Sequence, residues 1–295
     1  MPTLRHLPGS ADAALAARLV LLAAALACAS PLAQKAETSA AKALISPDQA
    51  KQIGLQVQSE LQKQGVQFVK DRTVDDYVAK LTDPLFAVAK KARPEIKDWK
   101  VHVINDPKTV NAFATTGGDL YVYSGLIQLA DDGSELAGVI AHEIGHVAQY
   151  HVQRQMVDVL GLEALTQLAV GKNPGAATQL VTGVGGKVAM LANSRGDEKE
   201  ADDWGVVHAN EAGYDPNGLV RFFQKLQGQE GKSPAALAFL SDHPTTPDRI
   251  QDTQNLIQQK GLHATGKGPP GLDAVKAALA RIPPPPPPKN QPASG

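Results

Sequence analysis

Cysteine, aromatic residues, net charge and long apolar runs are all scarce in this chain, and each shortage closes off a class of protein. One cysteine, Cys28, in 295 residues rules out an internal disulfide framework, so stability has to come from packing or from a bound ion. A formal net charge of −1 provides no electrostatic footprint for nucleic acid. Aromatics amount to 4% while alanine and glycine are plentiful, so the core draws on aliphatic and small side chains. The apolar run Leu19 to Ala27 is too short to span a bilayer stably. The apolar stretch from Val157 to Ala192 is interrupted by Gly161, Gly171, Lys172, Asn173, Pro174, Gly175, Gly183, Gly185 and Gly186; it is expected to pack as a helical hairpin in the core rather than to cross a membrane. No internal repeat is present, which excludes a helical-repeat solenoid.

What remains is organised from the N-terminus inward. Arg5 and Arg18 precede the Leu19–Ala27 run and small residues follow it, the pattern of a secretory signal. The segment A-L-A-C ending at Cys28 resembles a bacterial lipobox, in which Cys28 is lipidated and anchors the mature chain; cleavage after Ala27 or Ala29 is the alternative. The expected layout is a signal sequence over residues 1–28, a tether over 29–46 rich in Ala, Ser, Gln and Lys, one domain over 47–261, and a Pro-rich flexible tail over 262–295. Within that tail Leu272 to Ile282 is weakly helical and six prolines follow.

The stretch that carries chemistry is H-E-I-G-H at 142–146. On a helix, positions i and i+4 share a face, so His142 and His146 can reach one metal ion together, with Glu143 beside them to act on a water molecule. Asp132 and Glu135 read as a capping box, and Leu136, Ile140, Ile144 and Val147 form an apolar stripe. Gly138 and Gly145 fall on the histidine side and are expected to leave room for substrate or metal. Upstream, helical spacing marks Pro47 to Gln64 and Asp71 to Lys91 as two helices. Val101 to Ile104 and Leu120 to Tyr123 read as strands around turn chemistry at Thr115 to Asp119, predicting a small antiparallel sheet whose edge can accept an extended peptide along Asn111, Ala112, Phe113 and Ala114.

Two histidines need a third protein ligand to form a catalytic zinc site, and a carboxylate oxygen can be that ligand. Ser194 to Gly213 reads as a helix carrying D-E-K-E, and Glu198 is the preferred third ligand, with Glu200 and Asp197 its rivals by chemistry alone. Asp202, one turn on, can accept the remaining N–H of a ligand histidine and fix its tautomer. Thr246 and Pro247 open a closing helix through about Gln259. His102, His151 and His208 have no partner at ligand spacing and are expected to be surface or structural residues.

Three motifs, H-E-I-G-H, E-K-E-A-D and D-H-P-T-T-P-D-R, together with N-A-F-A-T-T-G-G and A-G-Y-D-P, resemble metallopeptidase family forty-eight, which includes HtpX, the CAAX prenyl proteases and periplasmic BepA-like proteins. The resemblance covers roughly Pro47 to Gly261 and is nearest to the short periplasmic lipoprotein members. It implies a mainly helical α+β fold of gluzincin type and one Zn²⁺ per chain held by His142, His146 and Glu198, the last because the pattern is E-x-x-A-D. It implies Glu143 as catalytic base and His243 near the metal, either capping it at rest or assisting the transition state. The resemblance further implies that Arg249 orders the H-P loop. The implied function is a zinc-dependent endopeptidase of the bacterial envelope acting on misfolded or unassembled polypeptides, in the periplasm and anchored to the outer membrane if Cys28 is lipidated. The alternative is a zinc-bound chaperone or adaptor with little proteolysis. Membrane helices and a trailing helical-repeat domain, found elsewhere in the family, are missing from this pattern.

Overall fold

Two amphipathic helices open the described chain. The computed structural model describes residues 45–181, 193–229, 234–244 and 246–285; the signal segment, Cys28, most of the tether, Gly183, Gly185, Gly186 and the second half of the proline run lie outside them. Helix α1 (Pro47–Lys63) starts at a capping box in which Ser46 and Gln49 satisfy each other's backbone N–H groups, and it buries Ile53, Val57 and Leu61 at four-residue spacing. Helix α2 (Arg72–Ala92) is capped by Asp71 and buries Val74, Tyr77, Val78, Leu81, Leu85 and Val88. Both agree with the expected spans to within the usual uncertainty of helix ends.

Strands β1 (Lys100–Ile104), β2 (Ala112–Ala114) and β3 (Asp119–Tyr123) form one sheet in the order β1-β3-β2. The expected antiparallel pairing holds for β2 on β3, but β1 lies parallel to β3, so the sheet is mixed. The reason is the path between β1 and β2: the chain passes over the end of the sheet and returns on the far side of β3, leaving β3 between them. The outer edge of β1 is covered by residues 67–69, through Val69 N–H to Val103 O (2.8 Å) and Asn105 N–H to Gln67 O (2.8 Å). Strand β2 therefore forms the other edge, and among the described residues no strand pairs with it there.

After the short α3 (Ser124–Leu129) comes α4 (Gly133–Ala148), the centre of the molecule, buried at every position from Gly133 to Val147. Asp132 caps it by accepting from the Ser134 and Glu135 N–H groups. The other half of the expected box is replaced: Glu135 accepts from Asp131 N–H and from Lys225 Nζ instead of the Asp132 N–H. Helices α5 (His151–Leu160), α6 (Leu162–Ala169) and α7 (Pro174–Val181) follow, short and packed on α1 and on one another. No described helix is long and apolar enough to cross a membrane.

Helix α8 (Arg195–Glu211) and helix α9 (Asn217–Gln229) lie against α4, and α10 (Pro234–Asp242) and α11 (Pro247–Gln259) close over them. Phe222, Phe223 and Phe239 are fully buried in this seam, each contributing about 1.5–3 kcal/mol relative to exposure.

Gly138 and Gly145 serve this packing and not the ligand space expected of them. A Cβ on Gly138 would stand 2.7 Å from the Leu219 backbone nitrogen, and one on Gly145 would stand 3.0 Å from Ala201 O. Their missing side chains let α9 and α8 come close to α4, which carries Glu198 to the histidines.

Residues 262–285 also depart from the flexible tail expected there. Helix α12 (Leu272–Arg281) buries Leu272, Val275, Ala278 and Leu279 and packs on α2 and α3. Gln128 Nε2 donates to Lys276 O, and Asn105 Nδ2 to Pro283 O. Proline-rich surroundings hid a narrow apolar stripe at helical spacing that is enough to dock the segment.

Candidate active site

Helix α4 sets His142 and His146 one turn apart, both buried, with their Nε2 atoms 3.0 Å from each other. Glu198 enters from the first turn of α8, which starts there because Ser194 caps it by accepting from the Asp197 N–H. Its Oε2 lies 3.6 Å from His142 Nε2 and its Oε1 lies 3.3 Å from His146 Nε2. The fourth member is His243, just after α10, whose Nδ1 is 3.2 Å from His142 Nε2 and 3.0 Å from Glu198 Oε1.

The donor set fits a metal ion. Ligand atoms at the corners of a tetrahedron with bonds of about 2.0–2.1 Å stand about 3.3–3.4 Å apart, and the distances above run from 3.0 to 3.6 Å. Burial holds the His146 pKa well below the ordinary histidine value, which keeps the ring neutral and its lone pair available. Burial alone would raise Glu198, but His243, His146 and His142 outweigh it and leave the carboxyl well below the usual range. Burial likewise works against a charged His243, yet Glu198 and Glu143 push its pKa up to about 9.

Asp202, on the same face of α8 as Glu198, places Oδ1 2.9 Å from His142 Nδ1. Arg249 of α11 then grips Asp202 with two parallel bonds, Nε and Nη2 each donating over 2.8 Å. Its Nη1 lies 2.6 Å from Glu198 Oε2 and donates to Pro244 O at 2.8 Å. One guanidinium thus ties two acidic groups to the H-P loop while lying over the Phe223 ring. The helix that presents it is capped by Thr246, which accepts from the Arg249 N–H.

Glu143 is buried next to the cluster. Burial raises its carboxyl pKa against the pull of His243 and His142, and its Oε1, 3.4 Å from His243 Nε2, makes no hydrogen bond. It lines a cavity with His146, His243, Asn111, Ala112, Phe113, Ala114, Tyr123 and Val152. The free space is ≈ 30 Å³, enough to admit water beside Glu143. Strand β2 thus runs along the cavity wall, while the Asn111 side chain is bonded to Asp242 Oδ2 at 2.8 Å.

Of the other histidines, His102 bonds Asp119 and stacks on Tyr121, and His208 stacks on Trp204. His151, expected to be a surface or structural residue, is not at the surface. It is 1% exposed and its Nδ1 lies 2.9 Å from His146 Nδ1. Glu200, a rival for the third ligand, instead meets His151 Nε2 at 3.0 Å, and Asp197 stands 3.6 Å from the same atom. Helical spacing had pointed to neither, because the chain reverses at Tyr150, outside the i, i+4 rule. Asn193 and Gln155, which also line the cavity, carry no motif that would have marked them.

Residues 73–257 match the model of "Peptidase family M48". The chain belongs to peptidase family M48. Among M48 relatives, the beta-barrel assembly-enhancing protease of Yersinia pestis is 31% identical over 206 residues, covering 67% of this chain and 42% of that protein. Metalloprotease LoiP of Escherichia coli K12 is 32% identical over 191 residues, 63% of this chain and 73% of that protein. The mitochondrial metalloendopeptidase OMA1 of Schizosaccharomyces pombe is 29% identical over 185 residues, 62% and 53% respectively. The chain spans less than half the length of the assembly-enhancing proteases it matches.

Proposed function

We propose that this chain is a zinc-dependent endopeptidase of the bacterial cell envelope, acting on misfolded or unassembled envelope polypeptides. The observation that carries the reading is the convergence of His142 Nε2, His146 Nε2 and a Glu198 oxygen, with the Glu143 carboxylate buried alongside. Similarity to beta-barrel assembly-enhancing proteases and the signal-like pattern at Leu19–Ala27 support the location. On this reading residues 47–261 are the catalytic domain and Cys28 is a lipid anchor.

His142, His146 and Glu198 would hold a zinc ion, which when bound would supply Lewis acidity towards water and a substrate carbonyl. Strand β2 adds the substrate backbone as a further strand along Ala112 to Ala114. Glu143 accepts a proton from the attacking water and delivers it to the amide nitrogen as the C–N bond breaks. Asp202 holds the His142 ring through Nδ1, and Arg249 holds Asp202. Purified full-length protein is expected to cleave denatured casein, to stop when a chelator removes the metal, and to resume on zinc addition. Cleavage that is indifferent to chelator would overturn the reading.

His243 favours a second reading, a zinc-bound chaperone with little turnover, since its Nδ1 stands among the ligand atoms. The two separate on His243→Ala. If His243 is a removable cap, the variant cleaves casein faster, by about tenfold for a closed state populated about ten to one. If neither the wild type nor the variant turns over while both hold zinc, the chaperone reading stands.

A further inference from the structure

We propose that His151, backed by Glu200, is a positioning residue that holds the His146 ring with its Nε2 lone pair turned into the metal cluster. The proposal rests on the metal-site reading given above and extends it to a residue that no motif marks.

The hydrogen count dictates the arrangement. Glu200 Oε2 only accepts when ionised, so His151 Nε2, 3.0 Å away, carries a hydrogen and donates it. His146 can bind a metal through Nε2 only with its own hydrogen on Nδ1, so the facing His151 Nδ1 is the bare, accepting atom. That atom lies 2.9 Å from His146 Nδ1, a separation that needs one hydrogen between the two nitrogens, and only His146 can supply it. With its hydrogen on Nδ1, His146 has a free lone pair on Nε2, the atom that faces His142 Nε2 and Glu198 Oε1. Asp202 Oδ1 stands 2.9 Å from His142 Nδ1, in the matching position beside the other ligand ring. Each ligand histidine thus has a partner next to its second nitrogen, a carboxylate for His142 and, for His146, an imidazole that ends on a carboxylate.

The backbone is bent to make this contact. Tyr150, φ 63°, is the one non-glycine residue with positive φ among the described residues, a conformation that bulky side chains rarely adopt. It lets α5 start immediately after α4, with His151 folded back on His146 only five residues earlier. A buried clasp holds the corner. Arg93 donates to Val147 O at the end of α4, pairs with Glu95 at 2.6 Å, and lies 3.8 Å over the Tyr150 ring, whose hydroxyl donates to Glu95. On the outer side, Asp197 stands 3.6 Å from His151 Nε2 and is itself paired with Arg154.

Amide replacements separate positioning from mere packing. Asn carries an oxygen where His has Nδ1, so His151→Asn keeps the acceptor for His146 and loses the reach to Glu200. Gln places its nitrogen near the Nε2 position, so His151→Gln keeps the tie to Glu200 and loses the acceptor. Zinc dissociation constants are measured on the full chain by competition with a chromophoric chelator, with thermal unfolding of the metal-free proteins alongside. The expected result is zinc binding weakened about 10–100-fold in His151→Leu and His151→Gln, while His151→Asn stays close to wild type. Equal zinc affinity in Leu, Gln and wild type overturns the positioning role and leaves the metal site standing, as does a loss in Asn as large as in Gln. If the wild type binds no zinc, the metal-site reading falls first and this proposal with it. Should His151→Leu fail to fold, the Asn and Gln pair still decides.

Discussion

Glu143→Gln is expected to bind one zinc ion as the wild type does and to cleave denatured casein about 10²–10⁴-fold more slowly, the range typical of a lost general base. The amide keeps the size and the buried position of the carboxylate but cannot take a proton at neutral pH. Zinc binding should persist because Glu143 is not one of the groups whose atoms converge there: it approaches His243 Nε2 at 3.4 Å, while His243 meets the cluster through Nδ1. Burial raises the carboxyl pKa, which moves the base towards the working pH and strengthens it as a proton acceptor. The two readouts must separate. A variant that loses zinc and activity together makes Glu143 a structural residue of the site, and one that cleaves at the wild-type rate removes it from the mechanism.

Replacing Arg249 with leucine should unfold the domain more readily than any neighbouring change. The guanidinium is buried, gives two bonds to Asp202 and lies against Glu198 and the Phe223 ring. Leucine restores apolar volume but strands two buried carboxylates, and breaking a buried pair from one side costs about 3–5 kcal/mol. For a domain of this size that lowers Tm by on the order of 10 °C. Arg249→Lys should recover only part of the loss, because an ammonium cannot form the paired fork with Asp202. Scanning calorimetry of the metal-free proteins checks it; a shift below about 2 °C, equivalent to less than 1 kcal/mol, would mean that solvent already screens the pair.

How much of this was legible beforehand depends on whether a residue's partner lies on its own helix. His142 with His146 and Glu198 with Asp202 are i, i+4 pairs, and regular periodicity exposes them. Thr246 with Pro247, or Ser194 ahead of its helix, are local caps and equally readable. What periodicity cannot carry is the crossing of helices. Gly138 and Gly145 share the histidine side of α4, which suggested open space; only the folded chain has Leu219 and Ala201 there. The parallel placement of β1 depends on the route of residues 105–111, not on strand propensity. Nothing in the spacing ties His151 to His146, because the link runs through a left-handed residue at Tyr150, a turn that no i, i+4 rule anticipates. The docking of α12 was masked by composition: four apolar residues at helical spacing outweigh the prolines that follow them.

The most direct measurement is a crystal structure of the full chain grown with zinc, with anomalous scattering collected on both sides of the zinc absorption edge. One strong peak is predicted, within about 2.0–2.2 Å of His142 Nε2, His146 Nε2 and a carboxylate oxygen of Glu198. A peak elsewhere, or none at that position with the protein folded and zinc in excess, would contradict the metal-centred chemistry assigned to this chain.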